Sequence, residues 1–272
     1  MHQVRKAAVA GTFYPGNSHA LADAVGRLLA DASIHHPQAV VVPKALIVPH
    51  AGYVYSGSTA AIAYASLKAA AQTIRRVVLL GPVHRVPVRG LAAPGVDAFS
   101  TPLGDIEIDA EAIASLAHLS QVTVNPAAHA LEHSLEVQLP FLQAVLPSFK
   151  LVPLAVGDAT AQEVAQVLAA LWGGAETLIL ISSDLSHFLP YAEAQATDRS
   201  TMEHILQLDG PLTHAQACGA TPINGLLLAA RAHHLRSQLL SQCNSGDTAG
   251  DRQRVVGYAA VAFTEEDDHA PH

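Results

Sequence analysis

Three apolar, β-branched runs of this chain end in a short segment that carries histidine. The first gives Val48-Pro49-His50-Ala51-Gly52-Tyr53, the second Leu80-Gly81-Pro82-Val83-His84, and the third Ile181-Ser182-Ser183-Asp184-Leu185-Ser186-His187. In open α/β sheets, ligands bind outside the carboxyl ends of the strands, so histidines that follow separate strands can converge. Two imidazoles and one anionic ligand, with positions left open, suit a metal that must also bind substrate or dioxygen. Asp184, Cys218 and Glu132 are the anionic candidates, and spacing does not choose among them, because ligands from separate strand ends keep no fixed interval. A single histidine after a strand more often caps a turn or bonds a carbonyl; three at one sheet edge outweigh that reading. Asp184 and His187 stand three apart, which on a helical turn would let the carboxylate orient the imidazole, while an N-cap role for Asp184 competes.

The elements that must position these residues alternate. Strand-like runs occur at Ala39 to Val48, Val77 to Leu80, Leu151 to Val156, Leu178 to Ile181 and Val255 to Phe263. Helical spacing occupies Ala20 to Ala30, Ser58 to Leu67, Ser134 to Val145, Ala161 to Leu171 and Pro222 to Leu235. The alternation predicts an α/β fold: a single three-layer α/β/α domain over residues 1–264, with a largely parallel or mixed sheet. Glu265 to His272 has the acidic, polar character of a disordered tail. Thr221 as N-cap with Pro222 at the first helical position predicts a helix start, whose positive end would lower the thiol pKa of Cys218 just ahead of it. In Leu131-Glu132-His133-Ser134-Leu135-Glu136, Ser134 or a neighbour reads as a cap and Glu136 as a first-turn acid. That leaves Glu132 and His133 to support the site or touch substrate. Asn244 to Asp251 is oxygen-rich but lacks EF-hand spacing and reads as a turn-forming loop.

Half of the 272 residues are hydrophobic, enough for a large core. A net charge of −8 with 15 Lys+Arg in no cluster disfavours nucleic-acid and anionic-membrane partners. No apolar stretch reaches the roughly 18 residues of a spanning helix, and Met1 to Ala10 lacks a signal-peptide core, so a cytoplasmic location is expected. Two cysteines make no disulfide framework, and each thiol is read for chemistry or burial. His35, His36, His118, His204, His233 and His234 share no location and are expected mostly in solvent.

Taken in order, His50-Ala51-Gly52-Tyr53, Leu80-Gly81-Pro82-Val83-His84, Glu132-His133-Ser134-Leu135-Glu136, Ser182 to His187, Cys218-Gly219 and Tyr258-Ala259-Ala260 resemble the Memo family, over nearly the whole chain from Ala7 to Phe263. The resemblance implies a fold similar to class III extradiol dioxygenases, with a metal pocket of His50, His84 and Cys218. It places Asp184 and His187 in the same pocket, His187 matching the dioxygenase acid/base histidine; His133, Glu132 and Tyr53 are further candidates to line or support the pocket. Iron(II) is the implied metal and copper the alternative. A thiolate in place of a carboxylate departs from the dioxygenase pattern: it is softer, favours copper(I) or a more electron-rich iron, and is oxidisable. The implied partners are a small molecule or peptide, and AMMECR-like and radical-SAM proteins. The leading expectation is an iron-dependent, oxygenase-like redox enzyme; the alternative is a metal-holding or peptide-binding protein that has lost catalysis. A hydrolase triad of Ser56 or Ser182 with His187 and Asp184 is a third reading, without a Gly-x-Ser-x-Gly elbow.

Overall fold

Each central strand sorts its side chains by alternation. Leu46, Val48, Val77, Leu79, Leu178 and Leu180 enter one buried cluster, while Ala45, Ile47, Val78, Leu80, Ile179 and Ile181 enter another. A strand apolar on both faces must be covered on both, which requires helices above and below the sheet. The computed structural model describes residues 2–35 and 42–265 and has this three-layer α/β/α architecture. In chain order its first half comprises β1 (Val4–Arg5), α1 (Ser18–His35), β2 (Ala45–Val48), α2 (Tyr53–Ala65), β3 (Arg76–Pro82), β4 (Leu91–Ala93), β5 (Ala98–Thr101), β6 (Gly104–Glu107), α3 (Ala110–Ser115), β7 (Val122–Val124), α4 (Pro126–Ala130) and α5 (Leu139–Val145). The second half comprises β8 (Lys150–Val156), α6 (Ala161–Leu171), β9 (Thr177–Ser182), β10 (His187–Leu189), α7 (Tyr191–Leu206), α8 (Ala220–Ala232), β11 (Arg236–Asn244) and β12 (Val255–Thr264).

The large sheet runs β10-β12-β2-β9-β3-β8-β4-β7, with β11 also on β12. Its centre, β2-β9-β3-β8, is parallel, and antiparallel pairs flank it. Helices α1, α2 and α5 pack together on one face; α6, α7 and α8 lie with the other cluster. Strands β1, β5 and β6 form a small separate sheet. Because Val48 pairs with Ser182 and Leu80 with Ile181, the carboxyl ends of β2, β3 and β9 finish at one edge, delivering His50, His84 and Asp184 together.

Several boundaries differ from the sequence reading for local reasons. Helix α8 begins at Ala220 behind Gly219, not behind Thr221, so Pro222 is its third residue; there too a missing N–H costs nothing, since the first turn has no intrahelical acceptors. Ser134 does not cap a helix: its hydroxyl donates to Pro82 O at 2.8 Å, and a 3-10 turn, Glu136–Gln138, precedes α5. Positions 39–41 of the first run and 266–272 of the tail lie outside the described residues. Asn244 caps the 3-10 turn Ser245–Asp247, as a turn-forming loop requires.

One glycine shapes the site edge through close approach. A Cβ on Gly81 would meet Ser134 Oγ at 2.9 Å and Leu135 Cδ2 at 3.0 Å, so the loop bearing Glu132 and His133 seats directly on the end of β3. Gly81→Val is expected to lower unfolding free energy by about 1–3 kcal/mol through overpacking, read by urea denaturation.

Candidate metal centre

Hydrogen bonds around His50 fix which of its nitrogens is free. The Ser182 hydroxyl donates its single proton to Ser134 O at 2.6 Å and accepts from Gln138 Nε2 at 2.8 Å. Its contact with His50 Nδ1, at 2.9 Å, must therefore be donated by the imidazole. That tautomer leaves the Nε2 lone pair available, 3.3 Å from Cys218 Sγ. The backbone N–H of His50 donates to Asp184 Oδ1 at 2.7 Å, so the β2 and β9 termini brace each other.

His84 is held by Glu132. The carboxylate accepts from His84 Nδ1 at 2.8 Å and from its backbone N–H at 2.5 Å. It also accepts the N–H groups of His133 and Ser134, at 3.0 and 2.9 Å, and lies 3.4 Å from His133 Nδ1. Burial alone would raise the Glu132 pKa, but bonds and charge from His84 and these N–H groups reverse the sign and hold it at about 2. Glu132 is therefore anionic and fully occupied as an acceptor; it orients histidines. Behind it, Arg5 Nε donates to His129 O at 2.9 Å, Nη2 donates to Glu132 O at 2.6 Å, and Nη1 pairs with the buried Glu136. Glu136 also accepts from Ala8 N, Val9 N and Tyr14 Oη, at 2.8, 3.0 and 2.6 Å, which ties the N-terminal segment to this loop. It is a buried anchor, not an acid set against a helix dipole.

His50, His84 and His133 each offer a ligand atom, and the three atoms lie within 4.8 Å of one another, a cluster that could hold a metal ion. The ring centroids are 5.3 Å apart for His50 and His84, 5.4 Å for His50 and His133, and 4.7 Å for His84 and His133. Burial pushes His50 well below the usual imidazole range and His133 down to about 4, with neighbouring histidines adding to both. Both are neutral at physiological pH, the form in which an imidazole can ligate a metal.

Cys218, expected with His50 and His84, is not one of these three: it meets the cluster through His50, its Sγ 3.3 Å from His50 Nε2. Burial, followed by the Asp184 charge, pushes its thiol up to about 12, opposite to the lowering expected from the helix end. The start of α8 gives Gly219 N–H to Ser183 Oγ at 2.9 Å instead. Asp184 is itself raised to about 7 by burial. It does not orient His187, whose Nδ1–H donates to Leu185 O at 2.8 Å, leaving Nε2 as an acceptor. The His187 pKa is lowered by burial. Tyr53 buries its hydroxyl against Val137 O at 2.8 Å and lines a different cavity; Tyr55 faces the site. No triad assembles: Ser56 Oγ bonds Ala51 O at 3.0 Å, and Ser182 is committed to His50, Ser134 and Gln138. His118, His204, His233 and His234 are exposed; the side chains of His35 and His36 lie outside the described residues.

Gln138, Arg85, Phe188 and Arg254, which no sequence signal marks, complete the centre together with Ser182. Gln138 and Ser182 set the His50 tautomer, and Arg85, Phe188 and Arg254 line the cavity above it. None follows from periodicity, because each acts through contacts made far along the chain.

A family model described as Memo-like protein matches residues 5–262. The chain belongs to the Memo-like family. A MEMO1 family protein of Aquifex aeolicus is 35% identical over 273 residues, covering 96% of this chain and 99% of the relative. One from Methanosarcina barkeri is 37% identical over 275 residues, with 95% and 99% covered, and one from Nitrosopumilus maritimus is 31% identical over 278, with 96% and 99% covered. This Memo-family chain has no helix, among the described residues, long and apolar enough to cross a membrane.

In this Memo-family site, Glu132→Gln replaces an acceptor by a donor facing His84. Metal affinity, read by competition with a chromophoric chelator, is expected to fall about 10–100-fold. Metal binding at neutral imidazoles releases no proton, whereas a thiol held at about 12 must lose one to ligate. Titration calorimetry at pH 8.5, in buffers of differing ionisation enthalpy, should give one more proton per ion than Cys218→Ala does. Equal release would remove Cys218 from the ligand set.

Proposed function

We propose that this Memo-family protein is a metal-dependent redox protein, with iron(II) held by His50, His84 and Cys218, and with His133 in reach as a further imidazole. Copper is the alternative ion. What carries the reading is the set of imidazoles whose ligand atoms lie within 4.8 Å of one another, two of them with Nδ1 donated away so that Nε2 keeps its lone pair, beside a half-buried thiol. That donor set fits a transition ion of intermediate softness, and not a hard cation that wants oxygen ligands. When bound, iron(II) would supply one-electron chemistry and open positions for substrate or dioxygen.

The chain's own groups have separable tasks. Ser182 and Glu132 hold the imidazole tautomers, and Asp184 fixes the backbone of His50. His187, neutral and with Nε2 unbonded among the described residues, accepts a proton from a bound substrate at that atom. Asp184, poised at about 7, stores a proton next to the site. A free, half-buried thiol beside the centre fits the reducing cytoplasm, which is the location we propose.

The second reading is a metal-holding protein that binds a peptide without turnover. Exposed Tyr55 and Phe188 at the cavity favour it.

Anaerobic purification followed by iron and copper analysis tests the first. A full complement of one ion per chain is expected, lost in the His50→Ala, His84→Ala double variant; unchanged metal content would rule the site out. Oxygen uptake separates the readings. Consumption with a phenol or catechol supports the enzyme, and none across a broad panel, with a partner bound at the pocket face, supports the binding protein.

A further inference from the structure

Two cavities of different character share one wall. The first, about 640 Å³, is lined by His50, His133, Tyr55, Arg85 and Arg254. The second, about 930 Å³ and mostly apolar, runs past Pro87, Val88, Val156, Leu189 and Cys218. His84, His187 and Phe188 line both. The two cavities therefore adjoin across these three side chains.

The first cavity is lined by two guanidiniums, Arg85 and Arg254, and by two carboxylates, of which Asp184 is turned to the His50 backbone N–H. Neither Arg85 nor Arg254 makes an ion pair among the described residues, although the chain has 23 acidic residues against 15 basic ones. Asp251 lies at the same cavity, but its Oδ1 accepts the backbone N–H groups of Gln253 and Arg254, at 2.8 and 3.3 Å. The Arg254 guanidinium instead sits 4.9 Å from the Phe188 ring centroid. Phe188 is 60% exposed and is held at φ 61°, a backbone region that L side chains rarely adopt. Such strain persists where the surroundings demand it, often at a ligand clamp. Here it places an aromatic side chain on the ridge between the cavities, next to a cation.

We infer that the centre takes an amphipathic anion, with a carboxylate or phosphate held by Arg85 and Arg254 and an apolar body that passes Phe188 into the second cavity. Guanidinium forks match either anion, and the apolar chamber supplies area to bury. The atom next to the anionic group then lies by His84 and His187. This rests on the proposed metal centre only for where reaction occurs; binding of the anion does not need the ion.

The test uses 8-anilinonaphthalene-1-sulfonate, a fluorescent amphipathic anion, with the full-length metal-free protein, and N-phenyl-1-naphthylamine as its uncharged counterpart. Loss of both guanidiniums in Arg85→Met, Arg254→Met is expected to weaken the sulfonate by about tenfold or more and leave the amine unchanged. Ala215→Trp, at an exposed wall of the second cavity, should weaken both. Circular dichroism checks that each variant is folded. Octanoate and octyl phosphate should displace the sulfonate where octanol does not, and the tighter of the two identifies the anion. Equal sulfonate affinity in the parent and the double arginine variant, or displacement by octanol as strong as by the anions, overturns the inference. Metal analysis of the same samples is independent: an ion absent from the parent removes the metal reading and leaves this one standing.

Discussion

The buried carboxylate of Glu132 is the constraint on which the centre depends. It is ionised where burial opposes ionisation, because four N–H donors from His84, His133 and Ser134 converge on it. Without that charge, His84 would be free to rotate at the end of β3, and the loop that carries His133 would have no internal acceptor. A carboxylate behind an imidazole also raises the ligand's basicity and fixes its tautomer. One side chain thus couples two of the three histidines.

The sheet and the N-terminal segment hold that carboxylate in place from opposite sides. Parallel pairing of β2, β9 and β3 brings their carboxyl ends level, so His50 and His84 meet without a long loop. Arg5, from the first strand, then clasps the Glu132 loop through two carbonyls and Glu136. Glu136 repays its burial by accepting four bonds, among them the Tyr14 hydroxyl. A buried ion pair of this kind adds little net stability against an apolar substitute, but removal of either partner leaves a buried charge unpaired.

How much of this is legible in the sequence follows from distance along the chain. His50, His84, Asp184 and His187 can be read because each follows an apolar run, and strand ends are a local signal. The α/β class can be read for the same reason, from runs that alternate with helical spacing. His133 is harder, since its loop has no periodicity and its place depends on the bare Cα of Gly81. The thiol pKa of Cys218 is misjudged from sequence because burial and Asp184, neither visible locally, outweigh the helix end. Strands β1, β5, β6 and β11 are short, polar or half-exposed, so they lack the apolar pattern that marks the central sheet. The pairing of Arg5 with Glu136, 131 residues apart, has no local trace at all.

The most direct test of the central claim is an anomalous difference map, at the iron and copper edges, from crystals grown without oxygen. One peak is expected, at Nε2 of His50 and of His84 and at Sγ of Cys218. A peak elsewhere, or no peak at these side chains in metal-replete protein, would contradict it.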